Sequence, residues 1–366
     1  MPRVIQPGRG VPIHVWARAI PEGALEQLEQ LAAQPYVVEH VAAMPDLHVA
    51  NGVAVGSVFA TIDAIVPSAL GGDLGCGMSA VRFDFPAARL GPQQLRQWLE
   101  RVTREIPVGD AVHRRRGVPV SEGPLSTGSL EHARERLSPK HLGTLGGGNH
   151  FIELDRDGGG DLWLLVHSGS RGLGSAIAAH HLKAAEARGF LSPESCLSDL
   201  QWAFSFARAN RDALVKRAAE FVTELIGVEP SFELDVHHNF VREETHFGRK
   251  LFVHRKGAIS AERGERALIP GSMGTASYIV EGLGEAASFR SASHGAGRVM
   301  TRREARQLRP DRFVQSMRRV VFDSSRRGLI EEAPAAYRDI VEVLEDEVDL
   351  VAPRVRLEPI AVLKGG

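Results

Sequence analysis

The chain has 366 residues, 43% hydrophobic and 24% charged, with 44 basic and 45 acidic side chains for a formal net charge of −1. That balance suits an ordinary soluble globular protein whose core forms without staples, and its two cysteines, Cys76 and Cys196, cannot build a disulfide scaffold. Global charge does not announce nucleic-acid binding, but a local basic groove would suffice for it. The opening MPRVIQPGRGVPIHVWA lacks the apolar core of a signal peptide, and no apolar run is long enough to span a membrane. The expected compartment is therefore the reducing cytoplasm.

In chain order, Leu25, Leu28 and Leu31 share one face of a helix predicted over 22–33. Residues 52–66 read as two β-rich runs around Asp63, followed by the glycine-dense turn GGDLGCGM and a strand SAVRFDF. A helix is predicted over 87–105. Residues 107–142 contain HRRRG with several Gly, Pro and Ser residues and read as loops. The turn GTLGGGNH leads into the strand FIEL, and DLWLLVHSGSRG is a buried strand that empties into a loop. Helices are predicted over 174–188 and 198–227. In the second, Trp202, Phe206, Ala209, Leu214, Ala218, Phe221 and Leu225 recur at helical spacing and read as core. After Pro230 strands and loops return, and the last helices fall at 302–308, 311–324 and 335–348. The irregular order of helices and strands argues against repeated βαβ units and for one compact α+β domain over 1–366, with mixed sheets flanked by helices and the active site in a central cleft.

Fifteen histidines are many for this length. Most lone histidines are plain surface or core residues, but several here stand beside glycines at strand ends. Asp73 and Cys76 lie three apart in GGDLGCGM, where glycines let the backbone bend sharply. His150, His167 and the pair His237–His238 each stand where a strand becomes a loop. A thiolate, a carboxylate and imidazoles together suit a borderline divalent metal such as Mn, Zn, Co or Fe. His294, in SASHGAGRVM, is a candidate ligand, acid–base group or nucleophile, and the surrounding glycines and Arg298 suit phosphate. No Walker-type loop is present.

Ten blocks occur in one order: MPDLH (44–48), VGSV (55–58), DLGCGM (73–78), GNHFIE (148–153), HSGSRG (167–172), HHN (237–239), HRKGA (254–258), IPGSMG (269–274), SHGAGR (293–298) and LKG (363–365). This series resembles the RtcB family of RNA ligases over nearly the whole chain, most thinly over 85–142 and 186–230. The resemblance implies an enzyme that joins RNA 3′-phosphate or 2′,3′-cyclic phosphate ends to 5′-hydroxyl ends, using GTP and divalent manganese, two ions in all. It implies that Cys76 bridges two metals, with Asp73 and His150 completing one shell and His167 and His238 the other. His238 is preferred to His237 because the family's ligand directly precedes the asparagine matched by Asn239.

By the same resemblance His294 becomes guanylylated. Asn149, Ser272, Gly295, Gly297 and Arg298 hold nucleotide phosphates, while Glu153, Tyr337 and Lys364 form the guanine pocket. An archease-like activating partner is a further family-level expectation. RNA is expected along an arginine-lined groove, with HRRRG at 113–117 and Arg302–Arg303 as candidates. Two rivals carry the same residues: a metal-dependent phosphodiesterase or phosphatase without GTP, and a family member that binds RNA or nucleotide but no longer ligates. Ala50, Asn51 and Gly72 depart from the usual pattern, and the chain is short for the family.

Overall fold

A computed structural model describes residues 2–114, 123–324 and 328–365. The first sheet runs in the order β1 (Arg3–Ile5), β2 (Ile13–Val15), β3 (Val37–His48), β4 (Val55–Thr61), β10 (Arg249–Lys256), β9 (Asn239–His246). The larger sheet runs β12 (Arg266–Ile269), β13 (Ser277–Gly282), β16 (Val351–Lys364), β6 (Phe151–Asp157), β7 (Asp161–Ser168), β5 (Gly77–Pro86), β8 (Pro230–His237), with β15 (Val321–Phe322) attached to β16. A short pair, β11 (Ala258–Ser260) and β14 (Ser291–Ser293), lies apart. Pairs β2–β3 and β15–β16 are parallel and the others antiparallel, so the sheets are mixed as expected.

The helices are α1 (Ala24–Ala32), α2 (Pro92–Glu105), α3 (Gly128–His141), α4 (Arg171–Ala185), α5 (Pro193–Ile226), α6 (Arg302–Ala305), α7 (Pro310–Ser316) and α8 (Ile340–Asp346). Helix α1 buries Leu28 and Leu31 against β2 and β3, the face its leucine spacing marks out. Helices α2 and α5 cover the larger sheet, where Trp98, Leu99 and Val102 meet Leu214, Phe221 and the inward side of β6 and β7. None of the helices among the described residues is long and apolar enough to cross a membrane.

Four sequence expectations need correction. The stretch 107–142 is not all loop, since α3 occupies Gly128–His141 and Thr127 caps it by accepting from the Leu130 amide. Its apolar pattern is poor and it holds Pro139, which is why periodicity misses it. Only the first of the two β runs in 52–66 is a strand: the chain turns at Asp63 with φ 50, and Ile65 merely bridges to Leu191. The helix expected to reach 324 ends at Ser316, because Val321–Phe322 gains more by pairing with β16. The helix expected from 335 begins at Ile340, capped by Asp339, after a 3-10 turn over Pro334–Ala336 and an extended Tyr337.

The long helix α5 contributes more than apolar packing. Asn210 and Arg211 are wholly buried on it. The Asn210 carboxamide accepts from the Gly143 and Thr144 amides and donates to the Gly169 carbonyl and Ser168 hydroxyl. The Arg211 guanidinium grips Asp235 on β8 at 2.7 and 2.8 Å and donates to the carbonyls of Gly75 and Ser168. One helical turn thus ties down the loops after β7 and before β5.

Burial disfavours ionised Asp235, but the Arg211 hydrogen bonds outweigh that and hold its carboxyl below the ordinary range. A depressed folded pKa stabilises the fold above the unfolded value near 3.9, and this is lost as pH falls through the folded one. Arg211→Met takes the guanidinium from a buried carboxylate that keeps only the Ser79 hydroxyl and Arg208 at 3.4 Å, and from the carbonyls of Gly75 and Ser168. It should cost about 3–5 kcal/mol at pH 7 in urea unfolding, with the deficit shrinking below pH ~4. An unchanged midpoint would show that the pair contributes nothing net.

Candidate metal and nucleotide site

The strands of the larger sheet end together. Gly77 stands opposite both Ser168 and His237, Met78 opposite His167, and Phe151 opposite His167. The residues just beyond these ends therefore converge, although they are far apart in sequence. The His238 amide donates to the Cys76 carbonyl at 2.9 Å, which fixes the β8–β9 connection against the cysteine loop. Gly77 is needed here, since a Cβ would lie 2.1 Å from the Val236 carbonyl oxygen; at Gly169 a Cβ would strike the Asp73 carboxylate at 2.2 Å.

At the centre, Cys76 Sγ lies 3.5 Å from His150 Nε2 and 3.3 Å from His167 Nε2. His167 Nε2 is 3.1 Å from His238 Nε2, and Asp73 Oδ2 is 3.1 Å from His150 Nε2. These atoms form two overlapping triads, Asp73–Cys76–His150 and Cys76–His167–His238, that share the sulfur. The rings are oriented from behind: His150 Nδ1 faces the Leu145 carbonyl at 2.9 Å and His167 Nδ1 the Asn149 carbonyl at 3.3 Å. With hydrogens on those Nδ1 atoms, both Nε2 lone pairs point at the sulfur. His237 faces away, toward the Gly75 carbonyl and Arg211, as alternation along β8 requires.

The electrostatics suit a cation. Burial, then the neighbouring imidazoles, holds His167 well below its ordinary pKa, and burial together with His294 does the same for His238, so both are neutral. Burial opposes ionisation of Asp73, but its neighbours His150 and Arg171 and the Ser170 amide prevail and bring it to about 2. Burial, then Asp73, drives the Cys76 thiol up. One anionic carboxylate and several inward lone pairs around a thiol make a poor apolar core and a good donor set for one or two borderline divalent ions.

His294 follows β14, its ring 4.8 Å from that of His238. Its Nδ1 is 2.5 Å from Asp46 Oδ2, and its backbone amide donates to the same oxygen. Asp46 is completely buried in β3, at an irregularity between Ala43 and His48. With Nδ1–H committed to Asp46, a lone pair for attack can reside only on Nε2.

Beside His294 opens a cavity lined by Asn149, Glu153, Ser272, Gly295, Gly297, Arg298, Tyr337 and Lys364, together with His167. Lys364 Nζ donates to the Asn149 carbonyl at 3.1 Å, lies 3.7 Å from Glu332 and sits over the Phe151 ring. Tyr337 Oη donates to Glu332. Arg298 donates to Glu332, to Tyr337 Oη and to the carbonyls of Glu331 and Met300, which occupies four of its five N–H groups. Its main work is to hold the pocket wall, which leaves little for a phosphate. Burial pushes Glu153 up to about 8, opposed by Lys364. Beneath it Asp155 is fully buried with neither carboxylate oxygen partnered.

A sequence model described as tRNA-splicing ligase RtcB matches residues 27–365. The chain belongs to the RtcB family. It is 36% identical to an RNA-splicing ligase RtcB1 of Escherichia coli (strain ATCC 25922), over 97% of each chain. It is 30% identical to a tRNA-splicing ligase RtcB of Pyrobaculum aerophilum, over 100% of this chain and 97% of that one. An RNA-splicing ligase RtcB of Mycobacterium tuberculosis is 30% identical over 93% of this chain and 100% of its own.

In this RtcB-family chain the sequence had missed Asp46, Glu332 and Arg211. Asp46 stands in the quoted MPDLH block, and a carboxylate inside the apolar run AAMPDLHVA was a usable signal; Glu332 carried none. Of the arginine candidates, Arg302 lines the cavity and reaches toward Glu331 and Glu332, and Arg303 is exposed. Most of HRRRG, residues 115–117, lies outside the described residues.

Burial, then Glu153, raises Asp155 well above the ordinary carboxylate range. It must take up a proton on folding at neutral pH, which destabilises the fold progressively above the unfolded pKa of about 3.9. Asp155→Asn removes that penalty. Its stability relative to the parent should match at pH 4 and rise toward pH 8, by up to about 1.4 kcal/mol per pH unit, in paired urea titrations. A flat difference across that range would mean Asp155 is ionised in the fold.

Proposed function

We propose that this chain is an RNA ligase that joins RNA 3′-phosphate or 2′,3′-cyclic phosphate ends to 5′-hydroxyl ends, with GTP as the activating nucleotide and divalent manganese as the metal. The observation that carries this is the placement of His294: one face against the two triads sharing Cys76, the other at the mouth of a cavity with a buried glutamate, lysine and tyrosine. A hydrolase acting through water alone would have no use for that cavity.

The residues divide the work. Glu153, ionised against Lys364 as the base enters, would accept from the N1–H and N2–H edge of guanine, Lys364 would donate to O6, and Tyr337 would flank the base. Asn149, Ser272, Gly295 and Gly297 would hold phosphate oxygens, with one remaining Arg298 N–H. Asp73, Cys76 and His150 would hold one ion and Cys76, His167 and His238 a second; bound there, the ions would neutralise and orient phosphate oxygens.

His294 Nε2 attacks the α-phosphorus of GTP, an N–P bond forms, and pyrophosphate leaves. The ring keeps its Nδ1 proton, and the positive charge that develops is balanced by Asp46. The guanylate then passes to the RNA 3′-phosphate, which frees the imidazole and gives that phosphate a good leaving group. Attack by the 5′-hydroxyl forms the new phosphodiester and releases GMP. Asp46 is a positioning residue in this scheme: it fixes the tautomer and aims Nε2.

Intact-mass analysis after incubation with GTP and manganese should find one guanylate, on His294. His294→Ala should remove it completely, whereas Asp46→Asn should slow its formation on the order of 10²–10⁴-fold with the metal still bound. Labelling that persists at another residue overturns the nucleophile assignment. Cys76→Ala should strip the bound metal, and metal analysis finding the parent stoichiometry would remove Cys76 from the site.

A further inference from the structure

The loop 270–276 has two faces. Gly271 and Ser272 line the nucleotide cavity, while Gly274, Thr275 and Ala276 line a second, open cleft of about 940 Å³. The Ser272 amide donates to Thr275 Oγ1 at 2.8 Å, so the two faces form one braced turn. The next boundary segment behaves alike, with Tyr337 on the cavity and Asp339–Val341 on the cleft. The cleft therefore begins two or three residues from the pocket that holds His294.

Its charge is one-sided. Arg156, Arg312, Arg318, Arg319 and Arg356 line it against only Asp339 and Glu358. Glu358 pairs with both Arg156 and Arg356, and Asp339 is used as the cap of α8. Arg306 and Arg309, earlier on the same stretch, are paired with Glu331 and Asp311. Arg312, Arg318 and Arg319 have no acidic partner among the described residues and are exposed. Arg318 and Arg319 also line a further cleft of about 810 Å³, whose wall adds Arg96 and Arg104 from α2 against Glu100 and Asp323, with Arg104 3.6 Å from Glu105. The result is a track of guanidiniums that starts beside the nucleotide pocket, turns at the end of α7 and runs on to α2.

Three unpaired guanidiniums on one concave surface repel each other, and the arrangement becomes favourable when a regularly spaced polyanion lies along it. All the basic groups on both walls are arginines, whose planar forks match phosphate oxygens two at a time. We propose that this track binds the phosphodiester backbone of the RNA strand whose end is delivered to His294. The identity of the strand rests on the proposed ligase activity, whereas the binding of RNA to the track does not. Contacts of this kind read charge and spacing, so the surface should accept RNA without regard to sequence.

The test compares three proteins: the parent, an Arg312→Gln/Arg318→Gln/Arg319→Gln variant, and a charge-matched variant with Arg3, Arg9 and Arg188 changed to Gln, which are exposed and line neither cleft. A fluorescent single-stranded RNA of mixed sequence with a 3′-phosphate is titrated against each, without GTP or metal, over a series of salt concentrations. Thermal melting confirms that each variant is folded. The cleft variant should bind at least tenfold more weakly, and its plot of log affinity against log salt should be shallower by about 2, as expected for about three lost phosphate contacts on a single strand. The charge-matched variant should keep the parent affinity.

Equal losses in both variants, or parent-like binding by the cleft variant, overturn the proposal; the latter would assign the track to an acidic partner other than RNA. Separately, failure of the parent to become guanylylated would overturn the proposed function while leaving the binding comparison readable.

Discussion

Arg211 lies buried under the loops that carry the metal-donor residues, its guanidinium held between the Asp235 carboxylate and the carbonyls of Gly75 and Ser168. With Asn210 one residue earlier, it satisfies backbone groups from the turns before β5, after β7 and after α3. Those turns are rich in glycine, and Leu74 and Leu145 are the large apolar side chains they bury. Without a buried polar anchor they would be free to drift, and a shift of 1 Å is enough to spoil a metal site. A charge buried this deeply gains little net stability, but it fixes one arrangement, because every alternative leaves a charge unpaired.

On that floor two chemically different half-sites stand back to back. One gathers sulfur, imidazole and carboxylate donors whose lone pairs converge. The other gathers Glu153, Lys364 and Tyr337 around a cavity of a size and polarity that suit a planar base, with Glu332 held against Tyr337 and Lys364. His294 stands between them, with Asp46 behind it and His238 beside it. In the proposed ligase recognition would be separate from reaction: one wall would select the nucleotide, the other would manage phosphate charge, and a single ring would face both. Arg298, a natural phosphate ligand by type, is largely committed to protein carbonyls, Glu332 and Tyr337, which stiffens the cavity wall.

The arginine track extends the same division of labour outward. Recognition of a long polyanion needs charge at regular intervals and little precision, which exposed guanidiniums on α7, α2 and β16 can supply. The proposed chemistry needs precision and few charges, which the buried donor cluster would supply. Because one short loop, 270–276, borders both the nucleotide cavity and the track, the two requirements meet in a few residues without compromising each other.

What could be read from the chain alone was whatever depends on local pattern or on ordered blocks. Leucine spacing marks α1, the apolar run LWLLV marks β7, and glycines flanking Asp73, Cys76, His150 and His294 mark turns that carry chemistry. The α+β class and the family follow from the same evidence. Helix α3 was hidden because its stability comes from contacts rather than periodicity, and the segment after Ser316 leaves the helix because a partner strand, β16, is available only in three dimensions. The spacing within the cluster Asp73, Cys76, His150, His167 and His238, and the partners of Asp46, Glu332 and Arg211, were decided by strand register and burial. Asp46 and His294, 248 residues apart, and Arg211 and the Gly75 carbonyl, 136 apart, leave no trace in spacing, so only the folded chain brings them within reach.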